Sequence, residues 1–316
     1  MSEKSRRIAV TGASGYVGTV LIRELVERKD VDGILAIDVR EPRQDLGGKV
    51  SFVRQDVSEP FPGLFAEHEI DTAVHLAYLL RQGRNREANR RVNVGGTRNT
   101  IEACRRGDVE RIVYLSSTSV YGAHPDSPQA LTEQMPARPV AGFQYSEDKL
   151  ASEGLLDEYA SETTGAGVCI LRCCPVMGAN ADNFIANAFD KPFLVAVSGA
   201  SPPMQLIHEE DMVRCMTLAT MGDAEGLYNL AGRGSISWDE MAGARGRRVV
   251  SLPAWLLYPL TQLTWSLRLQ SDSPAMGLDM IRYPWSASTE KIEREMGFRP
   301  RYSSKDAWDA YVERRR

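Results

Sequence analysis

The sequence predicts an α/β protein built on a doubly wound parallel sheet, with a small, mostly C-terminal cap. In the first half of the chain, short apolar runs alternate with amphipathic helical segments, which is typical of parallel βαβ units. The runs are continuously apolar, as expected for strands that are covered on both faces. After residue 175 this alternation stops, and turn-rich pieces such as "GANADN" and "SGASPPM" separate shorter elements.

Each element follows from its own pattern. Six β-branched or apolar runs predict strands, namely "RRIAVTG", "GILAIDV", "VSFVRQDV", "DTAVHLA", "RIVYLSS" and "GVCILRCC". Three longer segments predict helices, namely "YVGTVLIRELVER", "NREANRRVNVGGTRNTIEACRRG" and "YSEDKLASEGLLDEYASE". We therefore expect one domain over residues 1–172, to which the chain returns at about 205–232, and a cap over residues 173–204 and 233–316.

Composition narrows the class of protein. The 316 residues are 43% hydrophobic and 25% charged with a net charge of −4, which is the balance of an ordinary soluble globular protein and not that of a general nucleic-acid binder. The charged start "MSEKSRRIAV" leaves no room for a signal peptide. The five cysteines show no CxxC pattern, so we expect reduced thiols in a cytoplasmic protein. No cluster has metal-ligand spacing, and no metal is expected.

One apolar segment, residues 249–269, has about the length of a membrane span. It contains Pro253, Pro259, Gln262 and Arg268, a combination that a spanning helix tolerates poorly. We expect a buried helix or a lid rather than an integral membrane segment. The alternative is contact with one face of a membrane.

A glycine-rich turn, "TGASGYVG", joins the first strand to the first helix. Its Gly12, Gly15 and Gly18 let the backbone turn tightly and approach a pyrophosphate without Cβ atoms in the way. The amino end of the helix adds free N–H groups and a positive dipole. This context predicts a dinucleotide-binding Rossmann domain.

The ends of the next two strands bear on the choice of cofactor. Asp38 comes twenty residues after Gly18, where a carboxylate would bond an adenosine ribose and repel a 2′-phosphate. Arg40 could instead accept that phosphate, but we favour NAD over NADP. Asp56 and Val57 could contact the adenine, although Asp56 fits equally well as a turn residue.

Tyr145 and Lys149 lie four residues apart on one predicted helix and therefore share a face. Ser117 ends the strand in "VYLSSTSVYG", at the edge of the sheet where ligands bind. The three side chains would form an acid/base unit. Ser117 would hold a substrate oxygen, Tyr145 would transfer the proton, and Lys149 would lower the pKa of the phenol and bind the nicotinamide ribose.

With these motifs in order, the sequence resembles the extended short-chain dehydrogenase/reductases, the NAD-dependent epimerase/dehydratase family. The matching pieces are "TGASGYVG", "AIDVRE", "AVHLAY", "NVGGTRN", "YLSSTSVYG", "YSEDK" and "LRCCPVMG", followed by "LIHEEDMVRC" and "GLYNLAG". The resemblance covers nearly the whole chain and is strongest over residues 7–178.

The resemblance implies roles for individual residues. Ser117, Tyr145 and Lys149 match the catalytic positions, Ala77 would line the cofactor groove, and Asn93 would brace the strand ends beside the nicotinamide. The other positions that it places around the cofactor are Tyr16, Val17, Leu76, Tyr78, Ser116, Pro175 and Val176. Substrate contacts would come from Ser117, Thr118 and His124, whereas His75 would serve in packing or a local hydrogen bond.

Two departures from the family pattern bear on the reaction. Thr118 and Ser119 follow the catalytic hydroxyl where 4,6-dehydratases carry an acidic pair, so dehydration is not expected. Gln205 stands near the position of the arginine that binds a substrate diphosphate in sugar-nucleotide enzymes. Arg214, Arg233 and Arg282 are candidates to replace it, and a less polar substrate is the alternative.

We therefore expect an NAD-dependent oxidoreductase that acts on a secondary alcohol or ketone of a sugar-like or other cyclic small molecule. The alternatives are a nucleotide-sugar epimerase, a non-catalytic dinucleotide sensor, and a membrane-associated dehydrogenase suggested only by residues 249–269. The family commonly pairs two long helices, here about 84–104 and 145–163, across a two-fold axis. We therefore expect a homodimer, with apolar residues such as Leu155 and Leu156 exposed at the contact.

Overall fold

A computed structural model gives the fold and describes residues 5–80, 85–181, 183–270 and 273–315. Its strands, in chain order, are β1 (Arg6–Thr11), β2 (Val31–Asp38), β3 (Val50–Arg54), β4 (Thr72–His75), β5 (Arg111–Ser117), β6 (Gly167–Cys173), β7 (Val176–Met177), β8 (Phe193–Val197), β9 (Ile207–His208), β10 (Gly226–Leu230) and β11 (Arg248–Leu252). Seven of them form one parallel sheet in the order β10-β6-β5-β4-β1-β2-β3. Successive strands are added outward in one direction from β1 to β3 and in the other direction from β4 onward, as in a doubly wound fold.

Eleven α-helices are described, of which some cover the two faces of this sheet and others belong to the cap. They are α1 (Tyr16–Val26), α2 (Leu64–Glu67), α3 (Arg86–Arg90), α4 (Gly96–Arg106), α5 (Gln144–Glu162), α6 (Phe184–Phe189), α7 (Glu209–Met221), α8 (Trp238–Ala244), α9 (Ala254–Ser266), α10 (Glu290–Glu295) and α11 (Ser304–Arg314). Helices α1 and α7 bury apolar side chains against one face of the sheet, and α2, α4 and α5 against the other. The predicted Rossmann-type sheet is confirmed.

The six predicted strands correspond to β1–β6, within a few residues at the ends. The predicted helix over residues 85–107 contains a π-helical stretch at Arg91–Gly95 between α3 and α4. Gly96 follows this stretch and allows the close packing there, because a Cβ at this position would lie 2.7 Å from Cγ2 of Val57. A π-helical turn adds a residue to the helix and redirects the side chains around it.

The cap is built on a second apolar core. Phe189 on α6 lies with its ring 4.7 Å from that of Trp238 on α8 and 4.5 Å from that of Trp308 on α11. Strands β8 and β11 form a separate parallel pair, and β7 pairs with β9 at the junction with the central sheet. Strand β10 returns to the central sheet beside β6, whereas the division of the chain into the two predicted domains stays a prediction.

Of the two expectations for the apolar segment 249–269, a buried helix is wrong, and a lid stays a prediction. The segment forms most of β11 and then α9, in which only Leu257 is buried. Trp255, Leu256 and Leu263 are exposed, with 76% of the Trp255 surface accessible. Within the described part of the chain, no helix has both the length and the hydropathy of a membrane span.

All five cysteines are buried and unbonded. Four of them, Cys169, Cys173, Cys174 and Cys215, lie in the core between the sheet, α1 and α7, and Cys104 lies on the opposite face. Burial raises the pKa of Cys104 and Cys215, which favours the neutral thiol. These residues pack as small apolar side chains.

Candidate active site and cofactor groove

The glycine turn between β1 and α1 leaves no room for side chains. Gly12 has a φ of +73°, and a Cβ at this position would lie 2.7 Å from the backbone nitrogen of Ala77. A Cβ on Gly18 would lie 2.4 Å from the carbonyl oxygen of Gly12. Gly15 caps α1, and Val17 packs against the core. The turn thus presents bare backbone at the amino end of α1, which suits a pyrophosphate.

Asp38 lies beside this turn at the end of β2. Its carboxylate accepts hydrogen bonds from the backbone nitrogens of Ser14 (3.1 Å) and Arg40 (3.0 Å). Nε of Arg40 is 4.0 Å from the Asp38 carboxylate, and the Arg40 side chain is largely exposed. Asp38 is therefore fixed next to the glycine turn, with the exposed Arg40 side chain near its carboxylate.

Asp56 and Val57 follow β3. The Asp56 carboxylate accepts a hydrogen bond from the backbone nitrogen of Ser58 at 2.9 Å, as a turn residue does. Val57 is buried against α4, and its carbonyl oxygen accepts a hydrogen bond from the Asn99 side chain at 2.8 Å. The contacts of both residues serve to fix this loop.

A buried polar cluster fixes the loop after β4. The hydroxyl of Thr11 accepts hydrogen bonds from the backbone nitrogens of Leu76 (3.2 Å) and Ala77 (3.3 Å). His75 lies 2.7 Å from the same hydroxyl and 3.1 Å from that of Thr97. Burial and the nearby charge of Lys149 lower the pKa of His75 to about 3, so this histidine is neutral and structural.

Asn93 lies in the π-helical stretch and connects this loop to α5. Its side-chain oxygen accepts a hydrogen bond from the backbone nitrogen of Leu79 at 2.8 Å, and its side-chain nitrogen donates to Asp148 at 3.2 Å. Asp148 also pairs with Arg90 at 2.9 Å. Asn93 thus holds the loop after β4 against α5, and its place beside the nicotinamide stays a prediction.

Helix α5 brings Tyr145 and Lys149 to the carboxyl end of β5. Lys149 donates a hydrogen bond to the carbonyl oxygen of Leu115 at 2.6 Å. Its ammonium lies 3.9 Å from the ring centroid of Tyr78 and 4.6 Å from that of Tyr114, a cation–π arrangement. The Tyr78 hydroxyl donates to the carbonyl oxygen of Tyr145 at 2.7 Å, so Tyr78 holds both ends of this helical turn.

Ser117 ends β5 and faces Tyr145. Its hydroxyl accepts a hydrogen bond from the backbone nitrogen of Ser119 at 3.2 Å and lies close enough to the phenol to lower the Tyr145 pKa by hydrogen bonding. Burial has the larger effect, however, and raises the pKa of Tyr145 to about 12. The expected lowering by Lys149 is therefore not the net result in this structure.

Burial also dominates at Lys149, in the opposite sense. It lowers the pKa of the ammonium to about 7, and the charge of Glu153 opposes this shift. The low pKa follows from the position of the side chain between the sheet, Tyr78 and Tyr114, because burial disfavours the charged form.

A buried ionic network behind the site was missed by the sequence analysis. Glu153, one turn after Lys149, accepts hydrogen bonds from Ser116 and from Arg172, whose Nη2 lies 2.6 Å from its Oε2. The Arg172 guanidinium lies 4.6 Å from the ring centroid of Tyr121. The i, i+4 spacing of Lys149 and Glu153 on one helix face was the available signal.

The remaining predicted positions lie at the junction with the cap. Pro175 and Val176 follow β6, and the carbonyl oxygen of Pro175 accepts a hydrogen bond from the Ile207 nitrogen at 3.0 Å. Thr118 is buried next to Ser117. His124 is held in its own loop, with Nε2 2.7 Å from the carbonyl oxygen of Arg138, so this ring nitrogen is already engaged.

Tyr16 and Glu209 form a second contact that the sequence analysis did not anticipate. The Tyr16 hydroxyl, at the start of α1, donates to the carboxylate of Glu209 at the start of α7. The same carboxylate accepts a hydrogen bond from the Asn180 side chain at 3.1 Å. This chain of contacts connects the glycine turn to the loop that enters the cap.

Both polar atoms of the Gln205 side chain form hydrogen bonds within the cap. Its side-chain amide donates to the carbonyl oxygen of Ala287 at 3.1 Å and accepts from the nitrogen of the same residue at 2.7 Å. The three candidate arginines have other contacts: Arg214 with Arg299 and Phe298, Arg233 with Arg301, and Arg282 with Tyr258 and Tyr283. None of these contacts is with Gln205.

Comparisons with known proteins agree with this arrangement. The model of the NAD dependent epimerase/dehydratase family matches residues 8–231. An uncharacterized protein of Mycobacterium tuberculosis is 27% identical over 315 residues, covering 96% of this chain and 82% of its own length. Short-chain dehydrogenase/reductase family 42E member 1 of Xenopus laevis is 28% identical over 226 residues, covering 67% of this chain and 58% of its own length.

Solved structures share the fold over almost the whole chain. MoeE5 in complex with UDP-glucuronic acid and NAD has a TM-score of 0.75 and 25% identity, with 98% of each chain covered. DesIV, a dTDP-glucose 4,6-dehydratase from Streptomyces venezuelae with NAD bound, has a TM-score of 0.76 and 23% identity, covering 98% of this chain and 96% of its own.

Proposed function

The chain belongs to the NAD dependent epimerase/dehydratase family, and from this premise we propose that it is an oxidoreductase acting on a secondary alcohol or ketone of a sugar-like or other cyclic substrate. The observation that carries the proposal is the convergence of Ser117, Tyr145 and Lys149 at the carboxyl end of β5, beside the glycine turn. The reacting carbon would lie in front of this group of side chains.

NAD is the cofactor of the family, and the groove fits it. The cradle at Gly12 and Gly18 admits no Cβ, and Asp38 is fixed beside it as a ribose ligand would be. When bound, NAD supplies the acceptor for a hydride. Lys149 would hold the nicotinamide ribose with its ammonium, and Pro175 and Val176 would border the nicotinamide at the end of β6.

The protons are handled by residues of this chain. In oxidation, the phenolate of Tyr145 would take the proton of the substrate hydroxyl, while the Ser117 hydroxyl donates a hydrogen bond to the substrate oxygen. In reduction, Tyr145 would return the proton. Ionisation of Tyr145 requires positive charge nearby, because burial otherwise holds its pKa at about 12.

Oxidation and reduction are favoured over dehydration by the residues after the catalytic hydroxyl. Expulsion of water from a sugar needs an acid next to the reacting carbon, and both Thr118 and Ser119 are neutral. The side chains of both are buried in a short 3₁₀ turn, Thr118–Tyr121, which fixes them beside Ser117.

A nucleotide-sugar epimerase is the second candidate, and it is supported by the structural similarity to MoeE5, whose structure holds UDP-glucuronic acid and NAD. An epimerase oxidises and then reduces the same carbon, so the same three side chains would serve. Stoichiometric accumulation of NADH with turnover supports the dehydrogenase, and turnover without it supports the epimerase. The third candidate, a non-catalytic sensor, is disfavoured because both Tyr145 and Lys149 are retained.

The test is a panel of sugars, sugar acids, cyclic alcohols and nucleotide sugars, followed by the absorbance of NADH and by product analysis. Tyr145→Phe should lower turnover by about 10²–10⁴-fold, the usual contribution of a positioned proton-transfer group, and leave NAD binding nearly intact. Tyr121→Phe is the matched control, because it removes a neighbouring buried hydroxyl that contacts Asn229. Equal turnover of Tyr145→Phe and the wild type would exclude the proposed role.

A further inference from the structure

Helix α9 leaves most of its large apolar side chains on the outer surface of the molecule. Its inward side packs Leu257 and Tyr258 against the cap, and the Tyr258 hydroxyl donates to Asp279 at 2.5 Å. Its outward side, continued by the residues after it, carries the exposed apolar residues. We call this surface the α9 face, and it comprises Trp255, Leu256, Leu260, Leu263, Leu267 and Leu269.

The α9 face is continuous and strongly exposed. Leu256, Leu260, Leu263 and Leu267 follow one another at intervals of three or four residues, so they form a single stripe along the helix. Leu267 is 59% exposed, and Leu269 is 73% exposed. Scattered exposed apolar residues are ordinary, but a contiguous patch marks an interaction surface.

The chain segment that carries the α9 face is positively charged, although Asp279 of the neighbouring segment accepts a hydrogen bond from the Tyr258 hydroxyl. Residues 241–270 contain four arginines and no Asp or Glu, although the whole chain has a net charge of −4. Arg248 and Arg268 are exposed. Within the described ranges of the chain, neither has an ion pair with a carboxylate, in contrast to Arg245, which pairs with Asp190 at 3.6 Å.

This charge pattern distinguishes between the possible partners. A two-fold contact between copies of this chain would place the acid-free segment against itself, and like charges would oppose the contact. An anionic bilayer surface offers acyl chains to the leucines and Trp255, and negatively charged headgroups to the arginines. The thirteen residues of α9 are too few to cross a bilayer, which takes about 20.

We propose that the α9 face lies in the interfacial region of an anionic lipid bilayer and attaches the protein to the membrane surface. The helix would lie parallel to the membrane, with Trp255 and the leucines among the acyl chains and Arg248 and Arg268 at the headgroups. The attachment is peripheral and depends on negatively charged lipid.

The attached surface adjoins the candidate active site. The short 3₁₀ segment Ala275–Ile281 packs on α9 and also contacts the loop that precedes Tyr145. Cε of Met276 lies 2.8 Å from the position that a Cβ on Gly142 would take, three residues before Tyr145. Attachment would therefore bring the substrate side of the molecule towards the membrane.

The test is sedimentation of the full chain with vesicles of phosphatidylcholine, with and without phosphatidylglycerol. The wild type should bind the anionic vesicles, and the emission of Trp255 should shift to shorter wavelength, as judged against Trp255→Phe. The double variant Leu263→Glu/Leu267→Glu should bind at least about tenfold more weakly. Arg248→Gln and Arg268→Gln should each weaken binding by about fivefold.

Leu218→Glu is the matched control, because Leu218 is an exposed leucine on α7, away from the α9 face, and this variant should bind as the wild type does. Thermal unfolding of each variant checks the fold, and the Trp255 shift tests the wild type without any substitution in the leucine stripe. Absence of wild-type binding, or equal binding by the double variant, would overturn the proposal. A dimer that the double variant dissociates, without vesicle binding, would also overturn it in favour of contact between copies.

Discussion

The surroundings of Lys149 shift its ionisation strongly. Burial lowers its pKa from 10.5 to about 7, and Glu153 opposes the shift. Between these two pH values the folded chain binds fewer protons at this site than the unfolded chain does. Burial of Lys149 therefore destabilises the fold most below pH 7, and this contribution to the free energy of unfolding rises with pH up to about 10.5.

The first residue-scale prediction concerns Glu153→Gln. Loss of this charge should lower the pKa of Lys149 further, so that the part of NAD binding that depends on the ammonium is lost at a lower pH than in the wild type. NAD titrations across pH 5.5–9 would measure the midpoint, a range set around the lysine pKa of about 7. The variant also leaves Arg172 buried without its partner, at a cost of about 3–5 kcal/mol in unfolding free energy.

Asp148→Asn separates the effect on Lys149 from the loss of a buried acid. Asp148 is buried on the same helix and pairs with Arg90, but the opposing charge at Lys149 comes from Glu153. The pH midpoint of NAD binding by Asp148→Asn should match that of the wild type. Superimposable pH profiles for the wild type and Glu153→Gln would show that Glu153 does not act on Lys149.

The second residue-scale prediction concerns the choice of cofactor. Asp38→Ala should weaken NAD binding by roughly ten- to a hundredfold through loss of a charged hydrogen bond to the ribose, and narrow the preference over NADP as Arg40 becomes free to hold a phosphate. Calorimetry with both cofactors measures it. Asp45→Ala, which removes a carboxylate bonded to the Gly47 nitrogen, is the control. A wild-type preference for NADP would show that Arg40 dominates.

Much of the candidate site could be anticipated residue by residue. Ser117, Tyr145 and Lys149 were identifiable because strand ends and helix faces follow from local periodicity, and these place side chains at one edge of the sheet. The net pKa of Tyr145 was not predictable, since burial depends on packing by distant segments. The Tyr16–Glu209 contact joins residues far apart in the sequence and left no local pattern.

At the scale of elements, the segment before β9 bears on the substrate. Gln205 stands near the position where the family carries an arginine that binds a diphosphate. Both polar atoms of its side-chain amide are already hydrogen-bonded to the backbone of Ala287. A diphosphate that leaves water needs paired positive charge to recover its solvation. This local arrangement favours a substrate without a diphosphate.

Calorimetry with UDP alone tests this element-scale prediction, because UDP carries the diphosphate without the reacting sugar. We expect a Kd above about 100 μM, with a free sugar, sugar acid or less polar cyclic alcohol binding better. The NAD-loaded protein and the protein alone should give the same result. Micromolar affinity for UDP would mean that another arginine binds the diphosphate, and would favour the nucleotide-sugar epimerase.

Some helices and strands could be predicted from the sequence, and others could not. β1–β6 and α1, α4 and α5 follow from periodicity, because each buries a regular apolar face against the sheet. The π-helical stretch lies next to the close packing of Gly96 against Val57, a tertiary contact that local periodicity does not report. Helix α9 was expected to be either buried or a lid, because hydropathy reports composition and not which surface the fold leaves open.

At the scale of the whole molecule, a homodimer stays a prediction, and the structure corrects its expected contact. Leu156 is buried in the core, and Leu155 is only half-buried. The outer sides of α4 and α5 instead carry charged residues, among them Arg105 and Glu162, which form an ion pair at 2.5 Å. A contact through these helices would therefore be more polar than the sequence suggested.

Light scattering after gel filtration should give twice the mass of one chain at micromolar concentration. Leu155→Asp should shift the mass towards that of a single chain, because it places a charge at the centre of the outer α4–α5 surface. Leu218→Asp, on α7, is the matched control and should remain dimeric. A wild-type monomer would contradict the prediction, and a dimer unaffected by Leu155→Asp would locate the contact elsewhere.

Because all five thiols are buried, their reaction with a reagent in solution can report local opening of the fold. A thiol-specific alkylating reagent can reach these sulfurs only when the surrounding packing separates, and four of them lie in the core between the sheet, α1 and α7. Alkylation at Cys104, on the opposite face, would follow the separation of α4 from the sheet. Mass spectrometry of each labelled cysteine would therefore measure the opening rate of the two faces independently. Slower labelling in the presence of NAD would measure how strongly the cofactor stabilises the packing on each face.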